Sequence, residues 1–212
     1  MKTKRTKDHH KHKAILNAAI RLFLKSGYSN TSMDVIAAAA KVTKQTIYAH
    51  YHSKDTLFQE IMKTLCDKHA PEDALTGKSD NVEAVLFSLG MGFLNMLISK
   101  EGLLATRLAV SEGQRHPKLA RLYYESGALK RQKTIASYLE RQNADKKLKI
   151  PNAQSAASYF VAMLKGSYYL RILLNIKPYP SPDEKEKHVR ETVSMFMLVY
   201  CGTHPMDTTD TL

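Results

Sequence analysis

The sequence of 212 residues predicts an all-α protein, in which an N-terminal three-helix unit precedes a C-terminal helical bundle, with about nine helices in total. Apolar residues recur at three- and four-residue spacing in one segment after another, which is the period of an amphipathic helix. Residues that start or stop helices lie at the ends of these segments. No stretch alternates apolar and polar residues with the period of a strand, and no internal repeat is visible.

The first four predicted helices lie within about sixty residues. A polar, basic arm covers residues 2–13, and we expect its start to be disordered. The first helix is predicted over about residues 8–26. The second begins after Ser32 and the third after Thr43, because both are good N-cap residues, and the fourth begins at Ser53.

The remaining helices are longer and more apolar. After a loop rich in Pro, Gly, Asp and Ser (71–79), Asp80 and Glu83 have capping-box spacing and open a helix to about Ser99. This helix is apolar nearly all round, which predicts a place in the middle of a bundle. Further helices are predicted at about residues 103–114, 118–143 with a bend near Gly127, 152–174, and 181–202, where Ser181, Pro182 and Glu184 form a start signal.

Positive charge is concentrated at the N-terminus. The whole chain has a formal net charge of +12, and residues 1–58 alone carry 11 Lys or Arg side chains and three Asp, a net charge of +8. Such an excess favours a polyanionic partner, either nucleic acid or an anionic membrane surface. The chain therefore divides into a basic region that binds phosphates and a second region with another task.

Other features exclude several classes of protein. Cys66 and Cys201 are isolated, which predicts neither a disulfide framework nor a structural zinc site and favours a reducing cytoplasm. The most apolar stretch, 84–98, is interrupted by polar residues and is shorter than the ~20 residues that a membrane span needs. We expect a cytoplasmic protein without a signal peptide and without a membrane segment.

The second and third helices have the pattern of a helix-turn-helix, with a turn at residues 41–43. Ala37 supplies a small residue where the helices cross, and Val42 supplies an apolar pivot in the turn. Ile47 and Tyr51 lie one turn apart and are predicted to face inward. The side chains left to face outward, on a helix that fits a major groove, are Lys44, Gln45, Thr46, Tyr48 and His50.

This region resembles the N-terminal signature of the TetR/AcrR family of transcriptional regulators. The residues that carry the resemblance are Ile15, Leu16, Ala18, Ala19, Leu22, Phe23, Gly27, Tyr28, Thr31, Ser32, Met33, Ile36, Ala37, Ala40, Val42, Thr43, Lys44, Tyr48, His50, Tyr51, Ser53, Lys54 and Leu57. A second segment, 106–126, is similar to the sensor domain of the AefR-like branch. The resemblance implies a DNA-binding domain at residues 1–53 and a ligand-sensing and dimerisation domain at 54–212.

The resemblance also implies which residues contact DNA. Thr43, Lys44, Gln45 and Thr46 match the start of the recognition helix; Tyr48, His50 and Lys54 match phosphate and groove contacts; Ser32 and Lys41 complete the set. Gln45 is the best candidate for base reading, since its amide can pair two-fold with adenine.

One residue departs from the family pattern. Lys41 stands where relatives have Gly, at a position expected to be left-handed, which costs a side chain on the order of 1 kcal/mol. Our hypothesis is that the Lys41 cation gains a phosphate contact in return.

A small-molecule effector of unknown identity is the second implied partner. Met and Tyr suit an adaptable apolar pocket, and a cation in an apolar helix suits an anionic ligand. Most Met and Tyr residues of this region are simply core. The candidate pocket residues are Met91, Met96, Arg107, Tyr123, Tyr124, Phe160, Met163 and Tyr168.

The implied mechanism needs a homodimer, formed through residues 152–202, because two recognition helices must lie about 34–36 Å apart to read a palindromic operator. Ligand binding would change their spacing and release the DNA. A ligand-responsive repressor is the expected logic, and activation stays open.

Two other classes of function were weighed. A helical enzyme lacks support, since the sequence has no Gly-rich phosphate loop, nucleophile elbow, HExxH motif or paired carboxylates, and we predict no enzyme. The second alternative is a basic interaction module that never reads DNA sequence. The histidines at positions 9, 10, 12, 50 and 52 lack carboxylate or thiolate partners and a fixed geometry, so no metal site and no cofactor are predicted.

Overall fold

The computed structural model describes residues 2–68 and 81–201, and within these ranges the chain is helical without any strand. The helices are α1 (Lys2–Ser26), α2 (Met33–Ala39), α3 (Lys44–His50), α4 (Lys54–Lys68), α5 (Val82–Ile98), α6 (Lys100–Glu112), α7 (Pro117–Tyr123), α8 (Lys130–Ala144), α9 (Ala153–Leu173) and α10 (Pro182–Tyr200). A π-helix, Tyr124–Leu129, joins α7 to α8 without a break. When α7, the π-helix and α8 are counted as one continuous helix, the described ranges contain nine separate helices. The predicted fold class is confirmed.

The chain forms two compact units. The first contains Met1–Asp67 and Lys100–Ala128, and the second contains Lys68–Ser99 and Leu129–Leu212. The first unit therefore includes α4, α6 and α7 in addition to the three N-terminal helices. This structural division lies elsewhere in the sequence than the functional boundary predicted after residue 53.

The first unit is built around α1 and α4. One face of α1 is fully buried, and Ile15 and Phe23 on this face pack with Ile36 of α2 and Ile47 of α3. The rings of Phe23 and Phe58 lie 6.4 Å apart. Since each of these side chains is 2% exposed or less, α2 and α3 are held against α1 by burial of apolar surface.

The second unit is built around α5. Eight residues of this helix are buried, which confirms the prediction of a central helix. It packs against α9 and α10. At Gly90 the helices approach so closely that an added Cβ would lie 2.8 Å from Val189 and 3.1 Å from Leu164. A larger residue at this crossing would force the packed Val189 or Leu164 side chain to move.

Two helix starts differ from the prediction. Helix α1 begins at Lys2, six residues before the predicted start. Helix α5 is capped by Asn81, whose Oδ1 accepts the backbone N–H of Ala84 at 3.0 Å. The predicted cap, Asp80, lies outside the described residues, as does the loop 71–79.

The start of α10 agrees with the prediction. Ser181 accepts the N–H of Glu184 at 3.1 Å, and the Glu184 carboxylate accepts the N–H of Ser181 at 2.7 Å. With Pro182 in the first turn, this is the predicted capping box.

Two irregularities interrupt the longer helices. The bend predicted near Gly127 corresponds to the π-helix. The break in α9 at Gly166, where φ is 48° and ψ is −161°, was not predicted. The His188 imidazole lies there, with Nε2 3.1 Å from the Leu164 carbonyl oxygen. A Cβ on residue 166 would lie 2.8 Å from this ring, so the break makes room for the imidazole.

Across residues 2–68 and 81–201, no single helix is both long enough and apolar enough to cross a membrane. Helices α5 and α6 reach that length and composition only when they are taken together.

Candidate nucleic-acid interface

The second and third helices begin at side-chain caps that the sequence supplies locally. The Ser32 hydroxyl accepts the backbone N–H of Val35 at 3.2 Å, and Thr43 accepts that of Thr46 at 3.1 Å. Each cap satisfies an N–H that a helix leaves without an intrahelical partner. The hydroxyls of Ser32 and Thr43, both predicted to contact DNA, therefore already fix the starts of α2 and α3.

The turn between these helices is a Schellman motif. The N–H of Val42 donates to the Ala37 carbonyl at 3.0 Å, and the N–H of Lys41 donates to the Ala38 carbonyl at 3.1 Å. Lys41 has a φ of 56°, so the left-handed conformation predicted for it is confirmed. The Lys41 side chain is exposed and forms no ion pair within the described ranges.

The inward side of α3 is anchored as predicted. Ile47 is fully buried and Tyr51 is 5% exposed. The Tyr51 hydroxyl lies 2.7 Å from Nδ1 of His12 on α1, and Nε2 of His12 lies 4.0 Å from the Glu60 carboxylate on α4. Burial raises the pKa of Tyr51 above its ordinary value, so the phenol stays protonated and able to donate. The end of α3 is thus tied to two other helices.

The outward side of α3 is polar and accessible. Gln45 is exposed, and its amide has no hydrogen-bond partner among the residues that the structure describes. Tyr48 is 41% exposed, as predicted from its position out of phase with Ile47. Thr46 is half-buried, with its hydroxyl 2.8 Å from that of Thr43, and the half-buried ring of His50 lies 6.1 Å from that of Tyr51.

Lys44 is exposed but paired. Its ammonium lies 2.8 Å from the Asp34 carboxylate on α2 and 5.9 Å from the centre of the Tyr48 ring. The hydrogen bond to Asp34 raises the pKa of Lys44, so this side chain is cationic at neutral pH. An exposed ion pair is worth little energetically, so the cation remains available to another anion.

The family resemblance implies that Lys54 contacts DNA, whereas in this structure its ammonium contacts backbone carbonyls. Its ammonium donates to the carbonyl oxygens of Tyr28 at 2.6 Å and Thr31 at 2.9 Å, lies 3.5 Å from that of Ser29, and sits 4.3 Å over the Tyr28 ring. Burial lowers the pKa of Lys54. An ammonium has three N–H donors, and three carbonyl oxygens surround them here, so in this structure Lys54 holds the loop between α1 and α2.

The same loop is held by four side chains that sequence reasoning missed, which we call the loop clamp: Tyr28, Asp55, Glu112 and Lys118. The Asp55 carboxylate accepts a hydrogen bond from the Tyr28 hydroxyl at 2.5 Å and pairs with the Lys118 ammonium at 2.5 Å. The Glu112 carboxylate accepts the backbone N–H of Tyr28 at 3.3 Å.

The charged and polar groups of the loop clamp bind one another within the protein. The hydrogen bond from Lys118, followed by the one from Tyr28, holds the pKa of Asp55 below its ordinary value. Burial and the neighbouring Asp55 raise the pKa of Tyr28. His116 adds a hydrogen bond to Ser29 and packs its ring edge-on against Tyr28. Partners 84 residues apart leave no periodic signal in the sequence, which is why the clamp was not predicted.

The predicted effector-pocket residues divide between the two units. Arg107 and Tyr123 are half-buried in the first unit, where the Tyr123 hydroxyl lies 2.6 Å from that of Thr106, and Tyr124 is 54% exposed. In the second unit the predicted residues are Met91, Met96, Met163 and Tyr168, all half-buried, and Phe160, which is fully buried against Phe196. Phe160 therefore has the position of a core residue.

Two family models match this chain. Residues 15–61 match the family model for bacterial regulatory proteins of the tetR family, and residues 84–202 match the AefR-like transcriptional repressor C-terminal domain. The chain is 32% identical over 120 residues to the uncharacterized HTH-type transcriptional regulator YdeS of Bacillus subtilis, covering 56% of this chain and 58% of that protein. The chain thus spans less than two thirds of the length of this relative.

Two solved structures are similar over most of the chain. A TetR-family transcriptional regulator from Mesorhizobium loti is 28% identical, with a TM-score of 0.76 over 92% of this chain and 98% of that one. The flavonoid-responsive regulator FrrA is 29% identical, with a TM-score of 0.72 over 90% and 97% of the two chains.

Proposed function

The chain belongs to the TetR family of bacterial transcriptional regulators and carries an AefR-like C-terminal domain; from this premise we propose that it is a sequence-specific DNA-binding repressor, released from a palindromic operator by a small molecule. The observation that carries the proposal is the outward side of α3. There, accessible Gln45 and Tyr48 lie on a helix whose inner side is anchored by Ile47 and Tyr51.

In this proposal, base reading and phosphate binding fall to different residues. The Gln45 amide is free to pair with an adenine edge in the major groove. Lys44 and Lys41 supply exposed cations on either side of Thr43, and their phosphate contacts fix the register of the helix. Lys54 is not among the proposed DNA contacts, because its ammonium donates hydrogen bonds to backbone carbonyls.

A homodimer through residues 152–202 is the second part of the proposal. Exposed large apolar side chains concentrate on α9, α10 and the segment between them, and include Tyr159, Leu170, Leu174, Ile176, Tyr179, Met195, Leu198 and Val199. Leu198 alone is 79% exposed. Exposed apolar side chains concentrated in this way are well suited to burial against a second copy.

Effector response is the third part. The neighbour FrrA is described as flavonoid-responsive, which supports a small-molecule effector for this chain as well. The loop clamp offers a route to α2. Glu112 of α6 binds the loop that leads into α2 directly, and Lys118 of α7 pairs with Asp55, which binds the Tyr28 hydroxyl of that loop. A ligand that prefers one position of α6 and α7 would then shift the population of binding-competent helix-turn-helix.

Selection of duplexes from a random pool, followed by competition at fixed salt, tests the proposal. We expect a palindromic sequence to compete at least 10³-fold better than scrambled duplex. Gln45→Ala should weaken the selected palindrome by about 1–3 kcal/mol and leave scrambled DNA unaffected. Gln59→Ala, an exposed glutamine on α4, is the matched control and should change neither. Equal competition by palindrome and scrambled duplex would mean that the chain is a basic module that does not read sequence.

A further inference from the structure

A cleft in the first unit is lined by residues of α1, of the end of α2 with the turn that follows it, and of the start of α6. It has a volume of about 490 Å³, within the ~300–1,000 Å³ typical of small-molecule sites. Ile20 of α1 and Leu104 of α6 form part of its apolar floor, and both are half-buried.

Three cations line the cleft. Arg21, Lys41 and Lys100 are all exposed, and none of them forms a side-chain hydrogen bond or ion pair within residues 2–68 and 81–201. Glu101 is the only carboxylate among the lining residues. The charges at the cleft therefore sum to +2 at neutral pH, from residues of α1, of the turn after α2 and of α6.

The positive charge differs in kind from that on α3. Lys44 is paired with Asp34 at 2.8 Å, whereas the cations of the cleft have no such side-chain partner in the part of the chain that the structure describes. The start of α6, a helix of 13 residues, also lies here, and the positive end of its dipole favours an anion. Guanidinium and ammonium groups above an apolar floor match a ligand with an anionic head and an apolar body.

We propose that this cleft binds a small amphipathic organic anion of the carboxylate class, with its head between Arg21 and Lys100 and its apolar part over Ile20 and Leu104. The site lies entirely within the first unit and is distinct from the predicted effector-pocket residues. Lys41 belongs both to the rim of this cleft and to the turn of the helix-turn-helix, so a bound anion places negative charge beside that turn.

Titration of the full chain with octanoate, followed by NMR of the Ile20 and Leu104 methyl groups, tests the site. We expect both methyl signals to shift with a Kd on the order of 1 mM, as is reasonable for a ligand of this size. The neutral analogue 1-octanol should bind at least about tenfold more weakly, because it cannot use the cations.

Substitution of the cations that line the cleft tests where the anionic head of the ligand binds. Arg21→Ala with Lys100→Ala should raise the octanoate Kd by about tenfold or more. The matched control, Lys25→Ala with Lys63→Ala, removes two exposed cations from the same unit and should leave the Kd unchanged. Thermal unfolding of both double variants checks that the fold is intact.

Three outcomes would overturn the proposal. They are the absence of methyl shifts up to about ten times the expected Kd, an unchanged octanoate Kd in the Arg21/Lys100 double variant, and equal binding of 1-octanol. Methyl shifts caused by duplex DNA but not by octanoate would also overturn it, and would assign the cleft to the DNA-binding surface instead. Octanoate binding is measured without DNA, so it is independent of the test of the proposed function.

Discussion

The outward side of α3 and the loop clamp lie in the same unit and use the same residue types, yet they use them in opposite ways. On α3, Lys44 pairs with Asp34 across an exposed surface, and Tyr48 is 41% exposed. In the clamp, Tyr28 is 5% exposed and donates to Asp55 at 2.5 Å. Charge on α3 is available to a partner, whereas charge in the clamp holds the protein together.

The largest expected difference separates Lys44 on α3 from Lys54, which holds the same loop as the clamp. Lys54→Met should lower the free energy of unfolding by about 1–3 kcal/mol, because the buried carbonyls around its ammonium lose their donor. Lys44→Met should leave the free energy of unfolding close to that of the parent, because it removes only an exposed pair. Urea unfolding of the two variants measures both effects.

The same two variants should behave in the reverse way on DNA. Lys44→Met should reduce the salt dependence of duplex binding by about one unit of slope, as expected for one lost phosphate contact. Lys54→Met should leave the slope unchanged. If Lys54→Met flattens the salt dependence while stability is unaffected, Lys54 is a phosphate contact and the distinction between the regions is wrong.

Tyr28 in the clamp and Tyr48 on α3 should show a somewhat smaller difference in their effect on the free energy of unfolding. Tyr28→Phe removes a half-buried hydrogen bond to a carboxylate and should lower the free energy of unfolding by about 1–2 kcal/mol. Tyr48→Phe removes an exposed hydroxyl and should leave stability within about 0.5 kcal/mol of the parent. Thermal unfolding at neutral pH distinguishes them, and equal losses would contradict the contrast.

Acid should destabilise the loop clamp through Asp55. The pKa of Asp55 is lowered in the folded protein from its ordinary value of 3.8, so the unfolded chain takes up the proton first as the pH falls. The stabilisation from Asp55 is therefore fully present above about pH 5 and decreases as the pH falls through and below 3.8. Asp55→Asn should flatten this acid dependence in unfolding curves measured between about pH 3 and 6. An identical pH profile in the variant would exclude Asp55 as its source.

The smallest expected effect concerns left-handed lysines. Lys41→Gly should stabilise the protein by up to about 1 kcal/mol by relieving a φ of 56°, and should weaken DNA binding if its cation contacts phosphate. Lys146 has a φ of 57° in an equivalent turn after α8, so Lys146→Gly is the matched control. It should give the same stability gain with unchanged DNA affinity. Unchanged DNA binding in both variants would remove the hypothesis that Lys41 contacts phosphate.

Local features of the fold were predictable because their causes are close in sequence. The caps at Ser32, Thr43 and Ser181, and the left-handed turn at Lys41, depend on neighbours within about four residues. The central position of α5 follows from its apolar composition. The start of α1 was placed too late, because the basic composition of residues 2–7 predicted disorder where the structure has helix.

The candidate site was predictable in part, for the same reason. Helical periodicity separated the buried Ile47 and Tyr51 from the accessible Gln45 and Tyr48. Lys54 was named as a DNA contact only from the family resemblance, and helical periodicity gave no sign of the carbonyls that surround its ammonium. Those carbonyls belong to a loop more than twenty residues earlier in the chain.

The sequence by itself determined the helices, the polarity of their faces and the helix-turn-helix, because caps, turns and amphipathic periods act over one or two turns of chain. Only the tertiary structure decided which charges are available. It brought Glu112 and Lys118 to a loop near residue 28, and it placed Lys100 in a cleft with Arg21 and Lys41. The physical reason is that the free energy of a charged side chain depends on the atoms packed around it, and these come from distant segments of the chain.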